Sequence, residues 1–505
     1  MQTFSTIYNN SSIAISEISV IPYKIFCQEV LKLMVHRHNH CLNYYCIDKN
    51  EKYKFICLIA NDTTHEIYLL SHDLAKVSGN SLESITPLCN AFHIFEREIY
   101  EKEGIMFKNH PWLKPLRFPS ENTDIMQSMA NYPFYKIEGE ELHLVDVGPV
   151  HAGIIEPGHF RFICNGEKVL HLEIQLGYQH RNIEKLFIEK NHILHQSVLA
   201  ESIAGDTVVG HGMAYTNLIE SFCETNLPEQ LLIERCIALE MERIAMHIAD
   251  TSALCTDVAY QFGQVVNEAL RTLIINTTQS WCGNRFGKGL IRPFGSNYQI
   301  NRSLATKMLR IVSETEARFI EISDRIYLLA SILDRFESIG IITEKQVHQI
   351  GAVGMVARHT GVPRDIRVSH PFGYYPNVKY DAVILHEGDV WARGMLRKTE
   401  AQKSFQLVKK LLEKLIAYDS VYNAEPNFNP ELNASAFSVS LVEGWRGEIC
   451  HSALTNEKGE IVHYKVKDPS IHNWTALALA MRNQEISDFP ICNKSFNLSY
   501  CGHDL

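Results

Sequence analysis

VGPVHAGIIEPGHFRFICNGEKVLHLEIQLGYQHRNIEKLFI, residues Val147 to Ile188, reads as a hairpin that runs into a helix. Leu170, Leu172, Ile174 and Leu176 alternate with His171, Glu173 and Gln175, the period of a half-buried strand. Phe160 and Phe162, split by Arg161, supply its partner across the Asn165-Gly166 turn. A second turn at Pro157-Gly158 puts Glu156 and His159 on a loop at one end of the pair, and the charged group His180, Arg181, Glu184 and Lys185 falls where strand gives way to helix. Titratable side chains thus gather at the element ends, where polar residues also serve simply as caps and solvated tips.

Around this stretch the chain has the composition of an ordinary globular protein. Its 505 residues, 46% apolar and 21% charged, suffice for two or three domains with a sizeable core. A formal net charge of −10 argues against nucleic-acid binding, which favours a basic face. No apolar run reaches the length of a membrane span, and the first residues lack a signal layout, so the chain is expected to stay in the cytoplasm. The 13 cysteines are scattered without a single CxxC, as suits reduced buried thiols. There is no GxGxxG, Walker motif, elbow serine or zinc spacing.

The periodicity predicts an α+β multidomain chain: a small α+β domain over 1–120, a linker over 121–145, and over 146–505 a β-hairpin region followed by a mainly α-helical bundle. In the first domain Tyr53 to Ala60 and Glu66 to Ser71 read as strands around the turn cluster Asn61 to Thr64. Asn80-Ser81 reads as a helix cap, and Asn90 to Glu103 as a helix with Phe92, Phe95 and Ile99 on one face. His36, His38 and His40 alternate as on one strand face, more simply a surface trio than a metal site. Pro115, Pro119 and Ser120 to Asp124 mark the linker. Beyond it Pro228 to Cys255 reads as a helix with Glu234, Arg235, Glu242 and Arg243 turned outward. Leu304 to Ser338 reads as one long helix with a near-heptad seam, and Glu400 to Ile416 as another amphipathic helix.

The blocks IIEPGHFR and QHRNIEKL, met in that order, resemble the large subunit of nickel-iron hydrogenases and its relative, the large quinone-site subunit of respiratory complex I. RFGKGLIRPFG, GMVARHTGVPRDIR, GDVWARGMLRKTEAQKS, VEGWRGEI and DPSIHNWTALALAMRN continue the resemblance over nearly all of the chain after Asp146. FEREIYEKEGIMFKNHPWLKPLRFP, Phe95 to Pro119, is similar to the signature of the small peripheral-arm subunit of complex I, a structural domain in that family. The fusion order is that of some energy-converting hydrogenases and complex I relatives.

A nickel-iron centre needs thiolates from two CxxC motifs. In the register of the family those four positions fall here on Ala204, Thr207, Ser499 and Gly502, with Cys501 a neighbour out of register. The resemblance implies that Glu156 matches a proton-shuttling glutamate, Glu184 a magnesium ligand left vestigial, and Arg446 an arginine that overhangs the metal centre. It also implies a subunit of an NADH- or ferredoxin:quinone-type oxidoreductase complex with no cofactor of its own. A quinone would be reduced beside an iron-sulfur cluster held by a small partner subunit, with Glu156 and His159 relaying protons, His211 a further relay, and Arg446 stabilising negative charge. The remaining expected partners are antiporter-like and anchor subunits that hold the chain against the inner membrane. The alternative class is a non-catalytic coupling scaffold, and an active hydrogenase is opposed by the missing cysteines.

Overall fold

The computed structural model describes residues 3–118, 129–151, 155–223 and 225–505. The linker run Ser120 to Asp124 lies outside them, as does Ile154 of the first block.

The small domain is built on a four-stranded antiparallel sheet of order β1-β5-β4-β3, from β1 (Ser5–Tyr8), β3 (Asn39–Lys49), β4 (Lys52–Asn61) and β5 (Glu66–Ala75). The Asn61 to Thr64 cluster closes β4 onto β5 for a local reason: Asn61 Oδ1 accepts the backbone N–H groups of Thr63 and Thr64, both at 3.0 Å. Two helices, α1 (Tyr23–Met34) and α2 (His93–Glu103), cover one sheet face with Phe26, Val30, Phe95 and Ile99, joined by Phe92 from the 3-10 turn Asn90–Phe92 that leads into α2. Gly104, at φ 67°, ends α2 in the left-handed conformation that glycine tolerates. Asn80-Ser81 caps no helix; Ser81 begins β6 (Ser81–Glu83), which pairs in parallel with β7 (Met106–Lys108).

Two further corrections concern this domain. His36 and His38 sit in an exposed turn, whereas His40 is buried on β3 between Asp62 and Glu448. The alternation that looks like a strand from His36 onward includes a turn that ends just before β3. The strand β2 (Ser11–Ala14) leaves the small domain and pairs with β11 (Ala436–Glu443) of the large one, Ala14 opposite Ala436 and Ser11 opposite Val439. The two domains are therefore stitched by backbone hydrogen bonds as well as by fusion.

The large domain opens on the hairpin. β8 (Leu142–Val147), β9 (His159–Asn165) and β10 (Lys168–Gln175) form a sheet of order β10-β9-β8. Phe160, Phe162 and Leu172 are buried from it, in a core shared with Trp474 and Leu477 of the helix Ser470–Ala480. After it come α3 (Ile183–Glu189), α4 (Val208–Ser221), α5 (Glu229–Asp257), α6 (Gln261–Cys282), α7 (Arg302–Ile326) and α8 (Val390–Ile416). Helices α5 to α8 pack as a bundle, and α4 lies between it and a second sheet of order β13-β12-β11-β2, completed by β12 (Glu448–Thr455) and β13 (Ile461–Lys467).

The seam expected to run from Leu304 to Ser338 bends. α7 stops at Ile326, and a separate helix Ala330–Phe336 follows. Ile332 and Phe336 still face the core, so the apolar period survives a bend that periodicity cannot register. The second correction is larger: Glu234, Arg235, Glu242 and Arg243 of α5 do not face solvent, and all four are buried. Ile233, Ile237, Ile244 and Ile248 on the same helix are buried as read, each contributing about 2 kcal/mol. A buried ion pair adds little net stability to that, but its loss of one partner is costly. The two arginines are accordingly paired, Arg235 with Glu220 and Arg243 with Glu240, while Glu242 accepts the N–H groups of Val209 and Gly210 and Glu234 that of Ile300.

Candidate functional site

The segment that follows β10 grips the end of the chain. Gly177 and Gln179 donate their backbone N–H groups to the Asp504 carboxylate at 2.8 and 2.9 Å, and His180 Nδ1 lies 2.7 Å from the Asp504 carbonyl. Arg181 binds the carbonyls of Ser202 and Ile203. The QLGYQHR motif thus brings three distant segments together: the loop of Glu156, the turn Ala204 to Thr207 ahead of α4, and Ser499 to Asp504.

At this junction lie Ala204, Thr207, Ser499 and Gly502, the four positions expected from the resemblance to match thiolates. Ala204 offers no donor. Thr207 Oγ1 donates to Asp206 Oδ1 at 3.0 Å, and Ser499 Oγ accepts the N–H of Gly502 at 2.9 Å as the cap of the final turn Tyr500–Asp504. Gly502 has no side chain, and a Cβ built there would meet the Asp468 carboxylate at 2.6 Å. A cysteine at 502 does not fit beside that carboxylate. The donor set is one carboxylate, two engaged hydroxyls and one cysteine out of register, which does not suit a nickel-iron centre.

Arg446 sits over this turn on the loop between β11 and β12. Its guanidinium binds both Asp206 oxygens at 2.7 Å, donates to the Asn497 carbonyl at 2.6 Å, and lies 3.8 Å over the Trp445 ring. The loop can lie this close because Gly447 and Gly354 touch: a Cβ on Gly354 would fall 2.2 Å from the Gly447 Cα. Arg243 braces it from the bundle by binding the carbonyls of Glu443 and Gly444 at 2.6 and 2.9 Å. The positive charge of Arg446 is thereby fixed.

Glu156 is half-buried against the same group, facing Cys501, Gln179, Asp206 and Arg446. Burial and the nearby Asp206 charge push its carboxyl above the ordinary carboxylate range. Burial and Glu156 in turn push the Cys501 thiol up to about 11, so that it stays a thiol. Burial would raise Asp206 too, but Arg446 outweighs it and holds Asp206 below its usual value. Two neighbouring carboxylates with opposite shifts give the site one group suited to holding a proton and one fixed anion.

Not every expected residue joins this group. His159, at the start of β9, pairs with Asp146 at 3.0 Å and meets the Phe134 ring edge, away from Glu156. His211 is buried on α4 and reaches the floor of the site, its Nε2 3.1 Å from Asp468. Glu184 faces two ammonium groups, Lys102 of α2 and Lys465 at 2.9 Å. Burial pushes its carboxyl up, but the two lysines outweigh that and hold it at about 2. Its carboxylate is thus engaged by two cations. Asp206, Asp468 and Cys501 were not among the expected catalytic residues, although Asp206 directly precedes Thr207, Asp468 opens the block DPSIHNWTALALAMRN, and Cys501 lies between Ser499 and Gly502.

The family of the respiratory-chain NADH dehydrogenase 49 Kd subunit matches residues 257–504, and that of the 30 Kd subunit matches residues 25–133. The chain is 23% identical to hydrogenase-4 component G of Escherichia coli over 89% of its own length and 80% of that protein. It is 24% identical to a fused NADH-quinone oxidoreductase protein (C/D) of Phocaeicola vulgatus, over 94% of this chain and 96% of that one. In fold it resembles a chain of the membrane-bound sulfane sulfur reductase, an archaeal respiratory membrane complex, with a TM-score of 0.67 at 19% identity, over 74% of this chain and 100% of the other.

Proposed function

The chain is a member of the family shared by the large subunits of complex I and the nickel-iron hydrogenases, with a 30 Kd-subunit domain fused ahead of it, and from that premise we propose that it is the large subunit of a membrane-associated oxidoreductase that reduces a quinone without a nickel-iron centre. The observation that carries this reading is the asymmetry of the site. The thiolate positions are refilled, Gly502 by the neighbouring Asp468, while Glu156 and the buried Arg446 remain beside them.

Quinone reduction consumes two electrons and two protons. A half-buried carboxyl raised above its ordinary range takes up a proton more readily than a free one, and Glu156 would pass such a proton to the quinone oxygen and regain it afterwards. Arg446, locked on Asp206, supplies a fixed positive charge near any negative charge that develops. Electrons would come from an iron-sulfur cluster of a small partner subunit. Val150 and Ile155, each exposed and close in sequence to Glu156, are apolar side chains that such a partner would cover. Among the described residues no helix is long and apolar enough to cross a membrane, so attachment to the inner membrane would run through antiporter-like and anchor subunits, on the cytoplasmic side.

A second reading is favoured by the commitment of Arg446 to Asp206. A charge so fully engaged also suits a subunit that kept the fold, lost the chemistry and serves as a coupling scaffold. Quinone-driven reoxidation of the partner's clusters, and its loss in Glu156→Gln, separates the two.

A further inference from the structure

Arg97 of α2 is buried, at 6% exposure, and its charge is uncompensated. Its Nε donates to the Lys114 carbonyl at 2.8 Å, its Nη2 donates to the Pro115 carbonyl at 2.6 Å, and its guanidinium lies 5.1 Å from the centre of the Trp112 ring. None of these groups carries a negative charge, and among the described residues no carboxylate lies within 4.0 Å of Arg97. Other buried arginines are paired: Arg235, Arg243 and Arg446 each hold a glutamate or an aspartate. A buried charge without its counter-charge is costly to keep, so the position calls for an anion.

Arg97 lines a cavity of about 100 Å³ between the two domains. The small domain contributes α2 and Trp112, and the large one β10 and the helix Ser470–Ala480. Two arginines, Arg97 and Arg482, stand in its walls, and no aspartate or glutamate does. Glu173, which sits in β10 between the wall residues Leu172 and Ile174, is already bound by Lys114 at 2.5 Å. Burial, and then Arg97, hold His93 down at about 3, and burial lowers His171 too, so both of these wall imidazoles are neutral. The charge of the cavity is that of its arginines.

Much of the remaining lining is apolar. Leu172, Leu176, Trp474 and Leu479 present hydrocarbon and aromatic surface that a fully hydrated inorganic ion would not use. A cavity of about 150 Å³ holds benzene, so this smaller one suits a body of roughly four to six heavy atoms and not a fatty-acid chain. We propose that the cavity between α2, β10 and the helix Ser470–Ala480 binds a short-chain organic monocarboxylate, with its carboxylate on Arg97 and its hydrocarbon body against Leu172, Leu176, Trp474 and Leu479. Arg482, which is exposed, draws the anion towards the opening.

Nothing in this binding depends on quinone chemistry. The cavity does back the end of the chain, since Trp474 Nε1 donates to the Ser499 carbonyl at 3.3 Å, and His503, another wall residue, has its Nδ1 2.8 Å from Asp504 Oδ1. A bound carboxylate therefore braces the two domains behind the segment Ser499 to Asp504, and the folded chain gains stability as the cavity fills.

The test uses the full chain with ¹⁵N-labelled tryptophan and three probes: isobutyrate, its neutral isostere isobutyramide, and inorganic phosphate. Isobutyrate is expected to shift the Trp112 and Trp474 indole signals saturably and to raise the melting temperature with its concentration. Isobutyramide, which lacks the charge, is expected to bind at least about tenfold more weakly, and phosphate to leave the Trp474 signal in place. Arg97→Gln removes the charge, and Ala478→Phe fills the cavity while leaving Arg97 intact; each is expected to abolish the isobutyrate shift. Should Arg97→Gln fail to fold, Ala478→Phe decides alone. No saturable shift with isobutyrate, equal affinity for isobutyramide, or a shift that survives Ala478→Phe would overturn the site. Phosphate that moves both indoles as strongly as isobutyrate would overturn the organic ligand and leave an inorganic anion only.

Discussion

The carboxylate of Asp468 lies 2.6 Å from the place a Cβ on Gly502 would take. The space a side chain at position 502 would take is thus filled by the side chain of another residue, and Gly502 follows from that filling. Gly502→Ala is expected to destabilise the chain by about 1–3 kcal/mol in urea unfolding, the cost of overpacking a closed interior. In an Asp468→Ala background the same change should cost less, with a coupling of about 0.5–3 kcal/mol. Additive losses would mean that the two groups do not compete for space.

Arg446 is buried and held mainly by Asp206, which is itself partly exposed. Asp206→Ala leaves a buried guanidinium without its carboxylate, and a loss of about 3 kcal/mol is expected, at the low end for a buried pair because one partner reaches solvent. The double variant with Arg446→Met should recover part of that loss. Denaturant midpoints of the three variants check it.

His40 joins the domains through Glu448 at 2.6 Å and Asp62 at 3.3 Å. Burial lowers its affinity for a proton, but the two carboxylates outweigh this and raise it to about 9 from 6.5. The folded chain therefore binds a proton here that the unfolded chain has lost between those values. The stabilisation is complete below pH 6.5 and disappears as pH rises through 9. His40→Gln should destabilise the protein at about pH 6 and have a much smaller effect at about pH 9.5, as measured by unfolding at both.

Glu242 accepts the N–H groups of Val209 and Gly210 at 2.7 and 3.1 Å at the start of α4. Burial outweighs these bonds and raises its carboxyl to about 8. Here the folded state again binds the extra proton, so stability contributed by the neutral acid falls as pH rises from about 4.5 to 8. Glu242→Gln keeps one acceptor and cannot ionise, so its stability relative to wild type should improve between about pH 5 and pH 8. A pH-independent difference would contradict the assignment.

Much of the architecture was legible because it repeats. The hairpin Phe160 to Leu176 and the apolar faces of α2 and α5 declare themselves by period two or 3.6; the helical faces are as read and the hairpin strands pair, but a register shift between Val169 and His171 leaves Leu170 exposed and buries Glu173 and Gln175. The charges of α5 were not legible: Arg243 looks solvated on a helical wheel, and only contacts with Glu443 and Gly444, about two hundred positions later, show it to be a buried brace. The exchange of β2 into the second sheet is likewise a long-range pairing with no local mark. At the candidate site, motif order pointed to Glu156 and Arg446, which the fold brings near each other. Asp206 and Asp468 were not legible, since each takes its meaning from a neighbour supplied by another segment, Arg446 and Gly502.

The most direct test is made on the complex purified with its natural partners. Its iron-sulfur clusters are reduced anaerobically, a short-chain quinone is added, and the paramagnetic signals are followed alongside a nickel determination. The account predicts rapid reoxidation without nickel, lost or slowed on the order of a hundredfold in Glu156→Gln. Clusters that stay reduced in the wild type, or reoxidation indifferent to Glu156, would contradict it.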